Sequence, residues 1–271
     1  MSFLRRRFLW PCAVISVIAG VGCATASIDP GTYAVRRVVL ASVHAERSVA
    51  FVQGGSPEPL GADLGTDLVE LIIADTELGL EGVFGPGAVI PAQSAVRAAA
   101  YAVLPETPSA EDYTFAGNMI AVDVDAPTVT TALSALAREL EADAAAVVRH
   151  EWWVARERLE FGVSVSVWDR LTLLVVGRDG RVLWRDVATT RVVASPVSVG
   201  SLGSIPFGLR GRLWGEDFRR QGRQAARDGW RLLRLRYEQQ RPKATAQPLP
   251  ALPPAIVSEP PPPLEAAVPT P

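Results

Sequence analysis

The chain has 271 residues, 48% of them hydrophobic and 21% charged, with 22 glycines, 22 prolines and a formal net charge of −2. That balance suits one compact domain with appendages, and it excludes a collagen, a coiled coil or a globally disordered chain. With 27 basic residues against 29 acidic ones there is no global field for nucleic acid, so an anionic partner would have to be met by a local patch. Lys243 is the only lysine, the signature of a GC-rich genome that writes its cations as arginine, so arginine runs count for little by themselves.

Residues 1–23 read as an export signal: Arg5, Arg6 and Arg7 without an acid, then an apolar run from Phe8 to Val21 that is too short to span a bilayer. Gly20-Val21-Gly22-Cys23 resembles a bacterial lipobox, which makes Cys23 the lipidation candidate, although Gly20 stands where a large aliphatic is usual. Ala24-Thr25-Ala26 offers a competing cut before Ser27, and Arg5-Arg6-Arg7-Phe8-Leu9 looks like a twin-arginine signal. Cys12 and Cys23 are the only cysteines, so nothing downstream forms a disulfide, and a cysteine kept at the end of the apolar run is what a lipid anchor requires. By enterobacterial sorting rules Ala24 favours the outer membrane, with the mature chain on the periplasmic face; the alternative is a soluble periplasmic or secreted protein.

After a tether at 24–34, a single α/β domain is expected over 35–240. Val35 to Val43 reads as a first strand, Gly54 to Gly61 as a loop, and Asp63 to Leu78 as an amphipathic helix through Leu64, Leu68, Leu71 and Ile72. A short strand broken at Gly85-Pro86-Gly87 is expected over 82–90, a helix opened by Pro91 over 92–103, and irregular chain over 105–117. Asn118 to Val124 reads as a strand, and Asp125-Ala126-Pro127 caps a helix running to Glu141. Strands follow over 144–154, 162–176 and 181–194, the last two joined by a Gly177-Arg178-Asp179-Gly180 hairpin. Val163, Val165 and Val167 alternate with Ser164 and Ser166, a buried face against a wet one. A Gly-rich loop at 200–215 and a helix from about Glu216 to Gln239 complete the domain. Residues 241–271 form an appendage; 242–271 carry 11 prolines and no hydrophobic period, a disordered or polyproline II tail. The fold class is therefore α/β (α+β): one mixed β-sheet packed by amphipathic helices, with a C-terminal Arg-rich helix and a disordered Pro-rich tail.

The strand-helix order, the Leu140-Glu141-Ala142-Asp143 helix end and the Asp179-Gly180-Arg181-Val182-Leu183-Trp184 turn resemble a group of bacterial envelope proteins. These are the CsgG-like curli-secretion lipoproteins, the LpoB-like activators of penicillin-binding proteins, and the N-terminal domain of TolB. The resemblance covers roughly residues 35 to 237 and implies a non-catalytic accessory that binds or assembles.

A search for chemistry agrees with that. No Gly-x-Ser-x-Gly elbow and no phosphate loop is present, and the two histidines lie 106 residues apart with no cysteine in the domain, so no metal and no cofactor is expected. His150 reads as a hydrogen-bonded sheet histidine and His44, just past the first strand, as exposed. Glu111-Asp112 and Asp123/Asp125 are the only carboxylate pairs offered for a hydrolytic alternative, and a loop and a helix cap explain them more cheaply. Two features stand out as partner surfaces. Trp152 and Trp153 must face opposite sides of a strand, so one of them is either covered by a helix, the favoured expectation, or presented to a partner. Residues 210–241 hold ten arginines against four acids, and Arg219, Arg223 and Arg227, at i, i+4 and i+8, form a candidate anion-contacting strip. The expected partners are a membrane through the lipid anchor and a protein or peptidoglycan in the envelope, with no nucleic acid.

Overall fold

The computed structural model describes residues 27–53, 56–61, 64–115, 118–159, 162–193 and 207–242. Cys23, the Gly-rich segment up to 206 and the Pro-rich segment from 243 lie outside them. Contacts group the chain into one compact unit ending at Arg241 and a separate segment, 242–271.

The unit is built on one mixed sheet of β1 (Ser27–Ile28), β2 (Val38–Glu46), β3 (Val49–Gln53), β4 (Ser56–Gly61), β5 (Val89–Ile90), β6 (Tyr113–Phe115), β7 (Ala144–Leu159), β8 (Gly162–Gly177) and β9 (Val182–Val193). The main path runs β1-β9-β8-β7-β2-β5. β7, β8 and β9 form an antiparallel meander, while β2 runs parallel to β7 over residues 144–150 and β3 runs parallel to the same strand over 153–156. At 16 residues each, β7 and β8 reach about 50 Å at roughly 3.3 Å per residue, long enough to serve two different neighbours in turn.

Side-chain alternation sends the two faces of these strands to different helices. Val38, Leu40, Ala146, Val148, Leu171 and Leu173 join one core with Leu68 and Ile72 of α1 (Leu64–Phe84) and Phe218, Trp230 and Leu233 of the C-terminal helix. Val39, Ala41, Ala145, Val147, Leu174 and Val176 join a second core with Leu133 and Leu136 of the later helix over 129–139. With the short α2 (Ala92–Ala95) between them, these helices are α3 (Val129–Glu139) and α4 (Phe207–Gln240). No helix among the described residues is long and apolar enough to cross a membrane.

Several elements differ from the sequence expectation. The first long strand starts at Val38 rather than Val35, because the N–H groups of Arg36 and Arg37 donate to Asp143 Oδ2 at 2.8 and 2.9 Å instead of to a neighbouring strand. Ser56–Gly61 is not a loop but the edge partner of β3, where Pro57 and Pro59 are tolerated because only one side of the strand is paired. α1 runs on to Phe84 through the fully buried Leu80 and stops at Gly85, whose φ of 112° ends the helix, so only Val89–Ile90 remains as strand. The helix expected over 92–103 breaks after Ala95 because the Glu139 carboxylate takes the Ala99 and Ala100 N–H groups at 2.7 Å each. In the stretch read as irregular, Tyr113–Phe115 pairs with β2, whereas 118–124 contributes only an isolated bridge from Val122 to Glu106. α3 starts at Val129 behind Thr128, which makes no side-chain cap; the expected cap, Asp125, pairs instead with Arg185 at 2.5 Å. α4 begins at Phe207, inside the expected Gly-rich loop.

The helix end at Leu140-Glu141-Ala142-Asp143 is tightly specified. Glu141 takes a left-handed φ of 53°, and the Ala142 N–H reaches back to the Ala137 carbonyl at 2.8 Å. The Asp179-Gly180 hairpin forms with Gly180 at φ 85°, and its Arg178 N–H donates to the Asp143 carbonyl at 2.9 Å, tying both turns to one end of the sheet.

Candidate functional site

Two of the three arginines of the strip on α4, Arg223 and Arg227, face α1. Asp75, 7% exposed on α1, receives Arg223 Nε at 2.5 Å, Arg223 Nη2 at 3.2 Å and Arg227 Nη2 at 3.0 Å. Arg219 is half-buried and has interactions of its own within the protein. The expected free anion-contacting strip is thus corrected: at Arg223 and Arg227 it is a helix-to-helix clamp. The acid that answers Arg223 and Arg227 comes from a distant segment of the chain. Burial alone would raise the Asp75 pKa, yet the hydrogen bonds from Arg223 and Arg227 outweigh it and hold the carboxyl below its usual range. Its stabilising contribution is therefore present above about pH 4 and disappears as pH falls through the depressed folded value. Asp75→Asn should cost about 1–3 kcal/mol, below the range for a fully buried pair because both arginines can turn to water. Asp228→Asn, in an exposed pair with Arg231, should cost less than about 0.5 kcal/mol. Urea unfolding of the two variants at pH 7 compares them, and equal costs would show that the clamp contributes nothing.

Trp152 and Trp153 do part to opposite faces. Trp152 is 2% exposed in the core beneath α1 and α4, stacked on His150 with ring centroids 5.0 Å apart and planes 12° apart. His150 and Asp169 are both fully buried there, with His150 Nδ1 3.0 Å from each Asp169 oxygen. The histidine is hydrogen-bonded in the sheet, as the sequence suggested. The pair has the form of an imidazole–carboxylate couple, with both side chains enclosed.

Trp153 takes the other face. α3 and its neighbours cover that face over Ala145, Val147, Leu174 and Val176. Farther along the same strands it carries Arg149, Glu151, Trp153, Arg170 and Trp168. Register places Trp153 directly opposite Trp168, and the rings stack at 5.7 Å with planes 8° apart. Arg170 lies 5.8 Å from the Trp153 ring centre and Arg191, opposite Trp168 on β9, lies 5.5 Å from the Trp168 ring. The result is an Arg–Trp–Trp–Arg row on half-buried rings across three strands. Arg149 continues it, pairing with Glu151 at 2.5 Å and Glu46 at 3.6 Å and lying 5.3 Å from the Tyr113 ring. Both tryptophans being covered by helices, the favoured expectation, therefore holds only for Trp152. Ser166, expected on the wet face, is buried.

His44 is also corrected. It lies inside β2 at 1% exposure, with Nδ1 3.0 Å from Ser42 Oγ, and Ser42 donates its own hydrogen to the Ile120 carbonyl at 2.6 Å. The hydroxyl oxygen can then only accept, which places the imidazole proton on Nδ1. Burial, reinforced by Arg149 and His150, lowers the His44 pKa to about 3.

The carboxylates offered for hydrolysis do not converge on a pocket. Glu111 and Asp112 are exposed on a 3-10 turn, and Asp123 Oδ1 accepts the Asp125 N–H at 3.0 Å in a local turn. Among the described residues no cluster of three or more His, Cys, Asp or Glu could hold a metal. Trp168, Arg170 and Arg191 were missed in the sequence, although adding the β7–β8 and β8–β9 registers to the strand assignments would have brought them beside Trp153.

No protein-family model and no curated protein matches the chain. A solved structure, the hypothetical protein CT253 from Chlamydia trachomatis, is 12% identical, covers 69% of this chain and 94% of its own, and superposes with a TM-score of 0.25.

Proposed function

We propose that this chain is an exported, non-catalytic lipoprotein that serves as an accessory or assembly module of the bacterial envelope. In this reading Cys23 carries the lipid, the domain stands on the periplasmic face of the outer membrane, and the sheet face bearing Trp153 and Trp168 binds a protein or peptidoglycan partner. The observation that carries the binding role is the Arg–Trp–Trp–Arg row, because stacked rings and guanidiniums on a solvent-reached sheet face combine the residue types that dominate binding hot spots. The export and anchoring role is supported by the leader and by a cysteine kept where its apolar run ends.

Two measurements test it. The mass of the mature N-terminus should be that of a diacylated cysteine followed by Ala24; a free Ser27 sinks the anchor. Trp153→Ala should weaken binding to isolated sacculi or outer-membrane proteins about tenfold, the scale of a hot-spot residue, while lowering stability by only about 1–2 kcal/mol. Equal binding by wild type and variant across a salt titration would remove this face from the function.

A further inference from the structure

Beyond the Asp75 clamp, at the C-terminal end of α4, a cavity of about 410 Å³ is walled by the chain entering the domain, the end of α1 and the end of α4. Its floor is aromatic. Tyr237, almost fully buried, lies 4.9 Å from the Tyr33 ring, 6.1 Å from Phe84 and 5.5 Å from Trp184. Its rim is cationic: Arg36 from the entering chain and Arg234 and Arg241 from the end of α4 line the same space. Arg234 is occupied by Glu238 at 2.8 Å, but within the described residues neither Arg36 nor Arg241 pairs with a carboxylate. Burial raises the phenol pKa of Tyr237 and of Tyr33, and arginine charge works against it, from Arg241 on both rings and from Arg36 on Tyr237. The Tyr33 hydroxyl is shielded from solvent and has no hydrogen-bond partner among the described residues. A single acid, Glu81, lines the cavity, with Oε1 held by the Gly87 N–H at 3.1 Å.

We propose that this cavity binds a polyol phosphate: the phosphate between Arg36 and Arg241, and an adjacent hydroxyl donating to Glu81. Two unpaired guanidiniums from different segments suit a tetrahedral dianion or diester, which presents oxygens in several directions, better than the two coplanar oxygens of a carboxylate. An aromatic floor with one acceptor beside the cations suits a short polyol, and the volume falls within the ordinary range for small-ligand pockets. The same chemistry is carried by a soluble glycerol phosphate and by the headgroup of phosphatidylglycerol. The lipid source rests on the reading of Cys23 as an anchor. β1 pairs Ile28 with Trp184, the residue packed on Tyr237, so the tether enters the domain beside the cavity. Four Cα-to-Cα steps lead from Cys23 to Ser27, a reach of at most about 14 Å, so a lipid on Cys23 would hold the cavity close to headgroups.

The test titrates the mature protein, purified in detergent, with sn-glycerol 3-phosphate and with glycerol, reading tryptophan fluorescence from the Trp184 cluster and confirming by calorimetry. Saturable binding of the phosphate, none of glycerol, and a loss of at least tenfold in Arg36→Gln/Arg241→Gln with an unchanged circular-dichroism spectrum would support the site. No binding, or equal binding by the double variant, overturns it. Vesicles of phosphatidylglycerol and of phosphatidylcholine then separate the sources: binding that needs phosphatidylglycerol and both arginines identifies the lipid, while glycerol phosphate binding without vesicle binding identifies a soluble ester. The soluble titration does not depend on lipidation, so an unmodified Cys23 would refute the anchor and leave the site standing, whereas a diacylated Cys23 with no phosphate binding would do the reverse.

Discussion

Gly79→Ala is expected to destabilise the domain by about 2–3 kcal/mol, although alanine is the better helix former by about 1 kcal/mol. Gly79 sits in the middle of α1 against the ring of Trp230 on α4. A Cβ there would overlap Trp230 Cδ2 and come within 2.5 Å of Cγ and 2.7 Å of Cε2. Trp230 is itself 5% exposed within the larger core, so the ring cannot swing away without opening the α1–α4 contact. Gly222→Ala is the control. Its Cβ would overlap Leu68 Cδ2, the end of a rotatable side chain whose Cδ1 and Cγ stand at 3.6 Å, so a rotamer change relieves it. Chemical denaturation should rank Gly79→Ala well below Gly222→Ala. If the two variants are equally stable, the close approach of α1 to Trp230 is not what holds these helices together.

Acidification should destabilise the protein through His44. Its folded pKa of about 3 lies far below the usual value near 6.5, so between those limits the unfolded chain takes up a proton that the native state refuses. Stability is therefore fully present above about pH 6.5 and falls by about 1.4 kcal/mol per unit below it, or about 2 kcal/mol by pH 5. Asp75 does not contribute in this window, because its depressed carboxyl pKa matters only below about pH 4. Asp169 and Asp186, whose pKa values burial raises, act with the opposite sign. The informative quantity is thus the difference between wild type and His44→Asn, in which an amide can still donate to Ser42. Unfolding free energies at pH 7.5, 6.5, 5.5 and 5.0 should show a slope in the wild type that flattens in the variant. Parallel lines would mean that another group drives acid unfolding.

How much of this was legible beforehand follows from the range over which each interaction acts. β8, β9, their Asp-Gly hairpin and α3 could be read within about two residues, because each is written in local periodicity or turn chemistry: alternating valines, an apolar row at Val129, Leu133 and Leu136, and a glycine for the positive φ at 180; β7 starts as expected but runs five residues past the expected end, to Leu159, because β8 pairs with it along its whole length. The mixed sheet packed by amphipathic helices follows from their order. What local pattern could not hold was decided by partners far away in the chain. Ser56–Gly61 became a strand because β3 offered an edge, and the helix after Pro91 was cut by a carboxylate from α3. Arg223 and Arg227 turned from candidate ligand contacts into a clamp because Asp75 lies nearly 150 residues earlier. The choice between Trp152 and Trp153 needed the sheet's two coverings. Sequence alone requires adjacent side chains on a strand to diverge, but only the placement of α1 and α4 on one face, and of α3 over one end of the other, left Trp153 where a partner can reach it.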